Sequence, residues 1–151
     1  MVGGGLIPRF SAILLSCGCS LFVLAGCSSG TLVGEQQTCR SSGGLFAQQK
    51  ITCTGSVDGV RGSPGLGIVE VDDDLDGIYR LDATITVERG TAKVFVTDTD
   101  GKQIGGEVAP GRPLEITAIV EPDEAVEAAL EVAEGEKVEN LRYEARLVQQ
   151  E

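Results

Sequence analysis

The sequence predicts a mainly β protein that folds as a small antiparallel β-sandwich or barrel-like domain. The strongest observation is strict alternation of apolar and polar residues over 79–88, which indicates a half-buried strand. The same alternation returns over 114–121 and 141–148. Glycine-containing turns at 89–90 and 98–101 separate such segments. Many short alternating segments with turns between them are typical of sandwiches and barrels.

The remaining segments between residues 45 and 113 fit this interpretation. Residues 45–54 predict a strand with Ile51 and Cys53 on one side, and 67–71 predict a short one. The intervening segment, 55–67, is rich in Gly, Ser and Pro and predicts a loop. After the turn at 89–90, two segments that flank Asp98-Thr99-Asp100-Gly101 predict a hairpin.

One segment, 123–134, favours a short helix instead. It is rich in Ala and Glu, and Asp123 and Gly135 suit the two helix caps. Four apolar residues recur at helical spacing: Val126, Ala129, Leu130 and Ala133. Because Leu130 and Val132 also alternate with polar neighbours, an edge strand remains the alternative.

The amino-terminal segment has the three zones of a secretory signal. Arg9 is its only charge, residues 10–25 form an uncharged apolar run, and small residues precede Cys27. Leu24-Ala25-Gly26-Cys27 resembles the lipobox of bacterial lipoproteins. The resemblance implies cleavage before Cys27 and lipid attachment to that cysteine. An uncut transmembrane anchor and an ordinary secretory signal are the alternatives, although the apolar run is shorter than the roughly 20 residues of a membrane-spanning helix.

The lipoprotein resemblance divides the chain into three parts. Residues 1–26 are the expected signal peptide, 27–38 a flexible tether without hydrophobic periodicity, and 39–151 a single β-rich domain. The protein is then expected in the bacterial cell envelope, lipid-anchored and facing away from the cytoplasm. Ser28 after the cysteine favours the outer membrane, if the organism has one.

The cysteines outside the signal and the lipid site form a pair, Cys39 and Cys53. In an oxidising compartment an even pair predicts a disulfide. Two separate thiols are the alternative.

Composition restricts the function more than it identifies it. The 151 residues carry 12 basic and 23 acidic side chains. Such an acidic chain repels phosphate backbones, so we expect no nucleic-acid partner. It contains no histidine, which excludes Ser-His, Cys-His and His-zinc sites within this chain.

The one motif with metal-binding character is the acidic run from Asp72 to Gly77, which matches the opening D-x-D-x-D-G of a calcium loop. Asp72, Asp74 and Asp76 would supply the ligands. The closing glutamate is missing, because Ala83 stands at its position, so an acidic turn is the alternative. No other cofactor is expected.

Three functions remain open on this sequence. We expect a membrane-anchored, non-catalytic binding or structural module of the cell envelope, whose partners are the membrane and an envelope protein. The alternatives are a calcium-dependent adhesion or structural module and a hydrolase that uses carboxylates alone. No motif singles out a catalytic residue, so an enzyme is not expected.

Overall fold

The computed structural model describes residues 29–43, 47–72 and 75–151. The predicted signal and Cys27 lie outside these residues. The described residues form ten strands and no helix: β1 Gly30–Val33, β2 Gln36–Ser42, β3 Lys50–Gly62, β4 Gly65–Glu70, β5 Tyr79–Thr86, β6 Ala92–Thr97, β7 Gln103–Val108, β8 Leu114–Val120, β9 Ala125–Glu131 and β10 Val138–Gln149. A helix long and apolar enough to cross a membrane is absent from this part of the chain.

The strands form two antiparallel sheets, which confirms the predicted sandwich. One sheet has the order β1-β3-β10-β5-β8, and β2 pairs with β3 beside β1. The other has the order β4-β9-β6-β7. Apart from β1 and β2, the eight strands are connected as in a jelly roll, which consists of two Greek keys in two packed sheets.

Alternation along each strand places the apolar side chains between the sheets. On β5, for example, Tyr79, Leu81, Ala83 and Ile85 are buried and the residues between them are exposed or half-buried. No buried polar or charged residue occurs among the residues that the structure describes. Full burial of one Leu or Ile contributes about 1.5–3 kcal/mol, so this core is the main source of stability.

The helix predicted over 123–134 is wrong, because β9 occupies Ala125–Glu131. Val126, Ala128 and Leu130 are buried, and the residues between them are exposed. This strand lies between β4 and β6, so it is central rather than the edge strand of the alternative interpretation. Backbone pairing on both sides outweighs the helical propensity of Ala and Glu, because tertiary context routinely overrides propensity.

The loop predicted over 55–67 is also wrong in most of its length. β3 continues through it to Gly62, and β4 begins at Gly65. Gly55 lies within β3, and a Cβ atom at this position would come within 2.2 Å of the Tyr143 ring. Glycine therefore serves close packing at this position rather than a turn.

The tether predicted over 27–38 is wrong from residue 30 onward. β1 pairs with the last residues of β3, Gly30 opposite Gly62, and β2 pairs with its first half. Leu32 also packs against the core. Within the described residues the first strand begins at Gly30, three positions after Cys27 in the sequence.

Candidate functional site

The predicted disulfide between Cys39 and Cys53 is present. The two residues are direct partners in the pairing of β2 with β3, and their Cα atoms are 4.1 Å apart. This spacing is near that of a non-hydrogen-bonded antiparallel pair, where side chains approach most closely. The disulfide ties β2 to the sheet and leaves neither thiol free as a nucleophile or ligand.

A polar contact that the sequence analysis missed lies next to the disulfide. Gln37 donates hydrogen bonds from Nε2 to the Tyr143 hydroxyl and to the Gly67 carbonyl, each at 2.8 Å. It thereby joins β2 to both sheets. Burial raises the pKa of Tyr143, the Gln37 hydrogen bond opposes that effect, and the negative charges of Glu35 and Glu70 add to the rise. The contact is structural. The only sign of it in the sequence is a tyrosine, Tyr143, at an inward position of the alternating segment 141–148.

The predicted calcium ligands lie in the connection between β4 and β5. Asp74 is outside the described residues, and Asp72 and Asp76 are exposed. The neighbouring Leu75 is buried, and its backbone N–H donates to the Asp123 carbonyl at 2.9 Å. No cluster of three or more metal-ligating side chains occurs in the described ranges. The calcium site stays a prediction.

The connection with Leu75 lies at a strongly acidic end of the sandwich. Three connections meet there, 71–78, 98–102 and 121–124. Leu75 links the first to the third through its bond to Asp123, and the Thr99 backbone N–H links the second to β8 by donating to the Ile119 carbonyl. We call this the acidic end. The described residues of these connections include one basic residue, Lys102, and seven acidic ones: Asp72, Asp76, Asp98, Asp100, Glu121, Asp123 and Glu124.

Within the acidic end, the motif Asp98-Thr99-Asp100-Gly101 forms a hairpin turn between β6 and β7. Asp98 Oδ1 accepts hydrogen bonds from the backbone N–H groups of Asp100 at 3.0 Å and Lys102 at 2.8 Å. Gly101 has a φ of 77°, the left-handed conformation that favours glycine. Turn geometry accounts for both residue types here.

The opposite end of the sandwich has balanced charge. It contains Gly30 and four connections, 62–64, 87–91, 109–113 and 132–137, and we call it the Gly30 end. Its connections carry three acidic and three basic residues, and Arg89 and Lys137 form ion pairs with Glu139. A hydrogen bond and positive charge from Lys137, together with Arg89, lower the pKa of Glu139. The molecule is therefore electrically asymmetric along its strands.

The outer surface of the larger sheet differs from both ends. It consists of the outward residues of β2, β3, β10, β5 and β8, and we call it the six-strand face. Strand register aligns them in rows, such as Arg40, Thr52, Arg146, Asp82 and Thr117 across five strands. Eight hydroxyl side chains lie on this face: Thr38, Ser42, Thr52, Thr54, Ser56, Thr84, Thr86 and Thr117.

The six-strand face collects positive charge in an acidic protein. It carries six basic residues, Arg40, Lys50, Arg61, Arg80, Arg142 and Arg146, and five acidic ones, Asp58, Asp82, Glu115, Glu139 and Glu144. The rest of the described chain has five basic and 16 acidic residues. Arg80 pairs with Asp82 at 2.9 Å, whereas among the described residues the other five cations of this face have no carboxylate within ion-pair distance.

An apolar margin accompanies these cations. Ile78 is 45% exposed and Ile119 is 40% exposed, and Val148 next to them is half-buried. Register places Arg80 between Val148 and Ile119 in one row. The face therefore combines cations, hydroxyl groups and apolar side chains. Such a surface can bind an acidic partner and bury some of its exposed apolar side chains on binding.

Comparisons with known proteins give only distant likenesses. No family model and no curated protein matches this chain. Among solved structures, the coconut allergen cocosin has a TM-score of 0.38 and 15% identity over 78% of this chain and 27% of its own. Peruvianin-I, a cysteine peptidase from Thevetia peruviana latex, has a TM-score of 0.37 and 13% identity over 78% of this chain and 63% of its own.

A bacterial module gives a similar result. The family 11 carbohydrate-binding module of Clostridium thermocellum Lic26A-Cel5E has a TM-score of 0.31 and 11% identity, covering 80% of this chain and 86% of that module. By contrast, the chain spans about a fifth of Brassica napus procruciferin, with a TM-score of 0.32.

Proposed function

We propose that this chain is an exported lipoprotein of the bacterial cell envelope, held to a membrane by lipid on Cys27 and facing away from the cytoplasm. Its sandwich is a non-catalytic module that binds an acidic envelope protein through the six-strand face. The observation that carries the proposal is the concentration of five cations without carboxylate partners on one face of a strongly acidic molecule.

The chemistry of the six-strand face supports a protein partner. Arginine is enriched at protein interfaces, where its planar group bonds to carboxylates, and exposed isoleucines add apolar contact area. Complementary charge accelerates the encounter with an acidic surface. From strand spacing and rise, the face measures about 20 Å on each side, which suits a small and transient interface.

A non-catalytic role is supported by the chemistry of the described residues. The chain has no histidine, and both described cysteines are bonded to each other. On the six-strand face, Asp82 binds Arg80 and also accepts a hydrogen bond from Thr117 at 2.9 Å. This carboxylate orders neighbouring side chains on β5 and β8.

A second candidate function is a calcium-dependent structural or adhesion module. The observation in its favour is that the connection with Asp72 and Asp76 is hydrogen-bonded to the one with Asp123. Carboxylates from separate connections can join one calcium shell, which would replace part of the coordination that the missing closing glutamate leaves open. The calcium prediction in the Discussion tests this candidate.

Metabolic labelling with a fatty acid tests the anchor. The wild-type protein should take up the label and fractionate with membranes, and Cys27→Ser should do neither. Cys39→Ala/Cys53→Ala, which removes both described cysteines and keeps Cys27, is the control and should be labelled normally. Equal labelling of wild type and Cys27→Ser would refute the lipoprotein assignment.

Site-specific photocrosslinking in cells tests the binding face. A photoreactive amino acid at Thr84, in the middle of the six-strand face, should give a discrete protein adduct. The same amino acid at Thr97, on the outer surface of the smaller sheet, should not. Arg40→Gln/Arg146→Gln should abolish the adduct, and Lys93→Gln/Lys102→Gln, with the same charge change elsewhere, should preserve it. A diffuse polysaccharide adduct, or equal adducts at both positions, would refute a protein partner at this face.

A further inference from the structure

Chain connectivity places the anchor next to the Gly30 end of the sandwich. β1 begins at Gly30, and Ser63 in the β3–β4 connection donates to the Ser29 carbonyl at 3.4 Å. A Cβ atom at Gly30 would lie 2.5 Å from Pro64, so this residue is packed against the connection. Three residues of any conformation span at most about 11 Å. The Cα atom of Cys27 is therefore within that distance of the Gly30 end.

Charge distribution gives the same direction independently. The Gly30 end has balanced charge, whereas the described residues of the acidic end include seven acidic residues and one basic residue. Bacterial and other biological membrane surfaces that contain anionic lipids repel such a concentration of carboxylates. The acidic end is kept away from them, and the balanced end is not. Strands of six residues between the ends separate them by about 20 Å.

We infer that the sandwich stands on the membrane by its Gly30 end, with the strands pointing outward and the acidic end facing the aqueous compartment. The surface in contact with lipid headgroups is formed by the connections 87–91, 109–113 and 132–137 together with Gly30. The six-strand face then stands upright and is open to a partner. This inference rests on the lipid anchor of the proposed function.

Fluorescence quenching of single tryptophans tests this orientation, because the chain contains no tryptophan of its own. Ala133→Trp places the probe at the Gly30 end and Thr99→Trp at the acidic end; both positions are exposed and uncharged. Each mature full-length lipoprotein is reconstituted in phosphatidylglycerol–phosphatidylethanolamine vesicles with brominated lipid. Quenching at Ala133→Trp should be several-fold stronger than at Thr99→Trp.

A linker control separates the short connection from other causes of orientation. Insertion of about ten Gly and Ser residues between Ser28 and Ser29, with a mean span of roughly 17 Å, should reduce quenching at Ala133→Trp towards the value at Thr99→Trp. Equal quenching at the two positions without the insertion would refute the orientation. Fatty-acid labelling of the same preparations distinguishes the two failures: labelled protein with equal quenching refutes the orientation alone, and unlabelled protein refutes the anchor and the orientation together.

Discussion

Cys39 and Cys53 connect two residues that already face each other across a pair of strands. The disulfide closes a loop of about 15 residues, so its removal should lower the free energy of unfolding by roughly 3 kcal/mol. Urea denaturation of Cys39→Ala/Cys53→Ala against wild type measures this loss. A reductant should shift the wild-type midpoint towards that of the variant and leave the variant unchanged. Identical midpoints for the two oxidised proteins would contradict the prediction.

The raised pKa of Tyr143 leads us to expect that the protein loses stability at alkaline pH. Burial, Glu35 and Glu70 raise this pKa, so the phenol ionises in the unfolded chain before it does in the folded one. The associated stability is complete below the unfolded pKa of about 10 and is lost as pH rises through the higher folded pKa. Tyr79, whose pKa burial and Asp76 also raise, adds to the effect.

Urea midpoints near neutral pH and above the unfolded tyrosine pKa of about 10 measure this dependence. Tyr143→Phe loses about 1 kcal/mol near neutral pH with its hydrogen bonds, but should lose less than wild type on the change to alkaline pH. An equal alkaline loss in wild type and Tyr143→Phe would show that Tyr143 does not contribute. Gln49, which accepts a hydrogen bond from Tyr79 at 2.8 Å, holds the second tyrosine in both proteins.

Strand β9 shows where a sequence pattern is ambiguous at the scale of one element. Ala129→Val should leave stability unchanged or raise it by up to about 0.5 kcal/mol, because a β-branched residue suits a strand and can contact Phe95 on the neighbouring strand. A helix would instead lose about 0.5 kcal/mol. Thermal melting measures the sign. Ala133→Val, outside the strand, is the control, and a clear loss confined to Ala129→Val would contradict the strand.

The helix prediction failed for a physical reason that local sequence does not contain. Val126 and Leu130 satisfy both a helical period and an alternating one; Ala129 and Ala133 complete the helical pattern, and Ala128 and Val132 complete the alternating one. Only the strands on both sides, which come from residues 65–70 and 92–97, decide between them. By contrast, β5 and β8 were predicted correctly, because their alternation over seven or eight residues excludes a helical face.

The connection between β4 and β5 carries the calcium prediction. Occupied at ten times its dissociation constant, a calcium site would stabilise the domain by about 1.4 kcal/mol. We expect a constant near 10⁻⁴–10⁻³ M, that of weak extracellular sites, because water must complete the shell. Millimolar calcium should therefore raise the melting temperature of wild type, and magnesium should not. Asp74→Ala should lose the shift, whereas Asp100→Asn in the β6–β7 turn should keep it. The absence of a calcium-specific shift in wild type would contradict the prediction and show that the motif is only an acidic turn.

At the scale of the whole molecule, the last strand is the central one. β10 pairs with β3 on one side and with β5 on the other. Deletion of residues 138–151 should therefore prevent folding, because it separates the larger sheet into two halves and exposes its core. Circular dichroism and protease resistance measure the outcome. Deletion of residues 150–151 alone should leave the fold intact, and a protease-resistant 1–137 chain would contradict the prediction.

Fold class and the disulfide could be predicted from the sequence, whereas the six-strand face could not. The fold class was predicted from the alternation of neighbouring residues, and the disulfide from the count of cysteines. A single sequence displays both. Arg40, Lys50, Arg80 and Arg146 are dispersed over more than a hundred residues, and only register brings them together. The net charge of the chain does not reveal this cluster, because it gives no information about where the charges lie.

The position of β10 has a consequence for the order of folding. β10 follows β3 and β5 along the chain but lies between them in the sheet, so these two strands lack their common neighbour until β10 has been made. Contacts between segments distant in the sequence make folding slow. If the chain is exported as we propose, it would stay unfolded until β10 has crossed the membrane, and no machinery would be needed to unfold it beforehand.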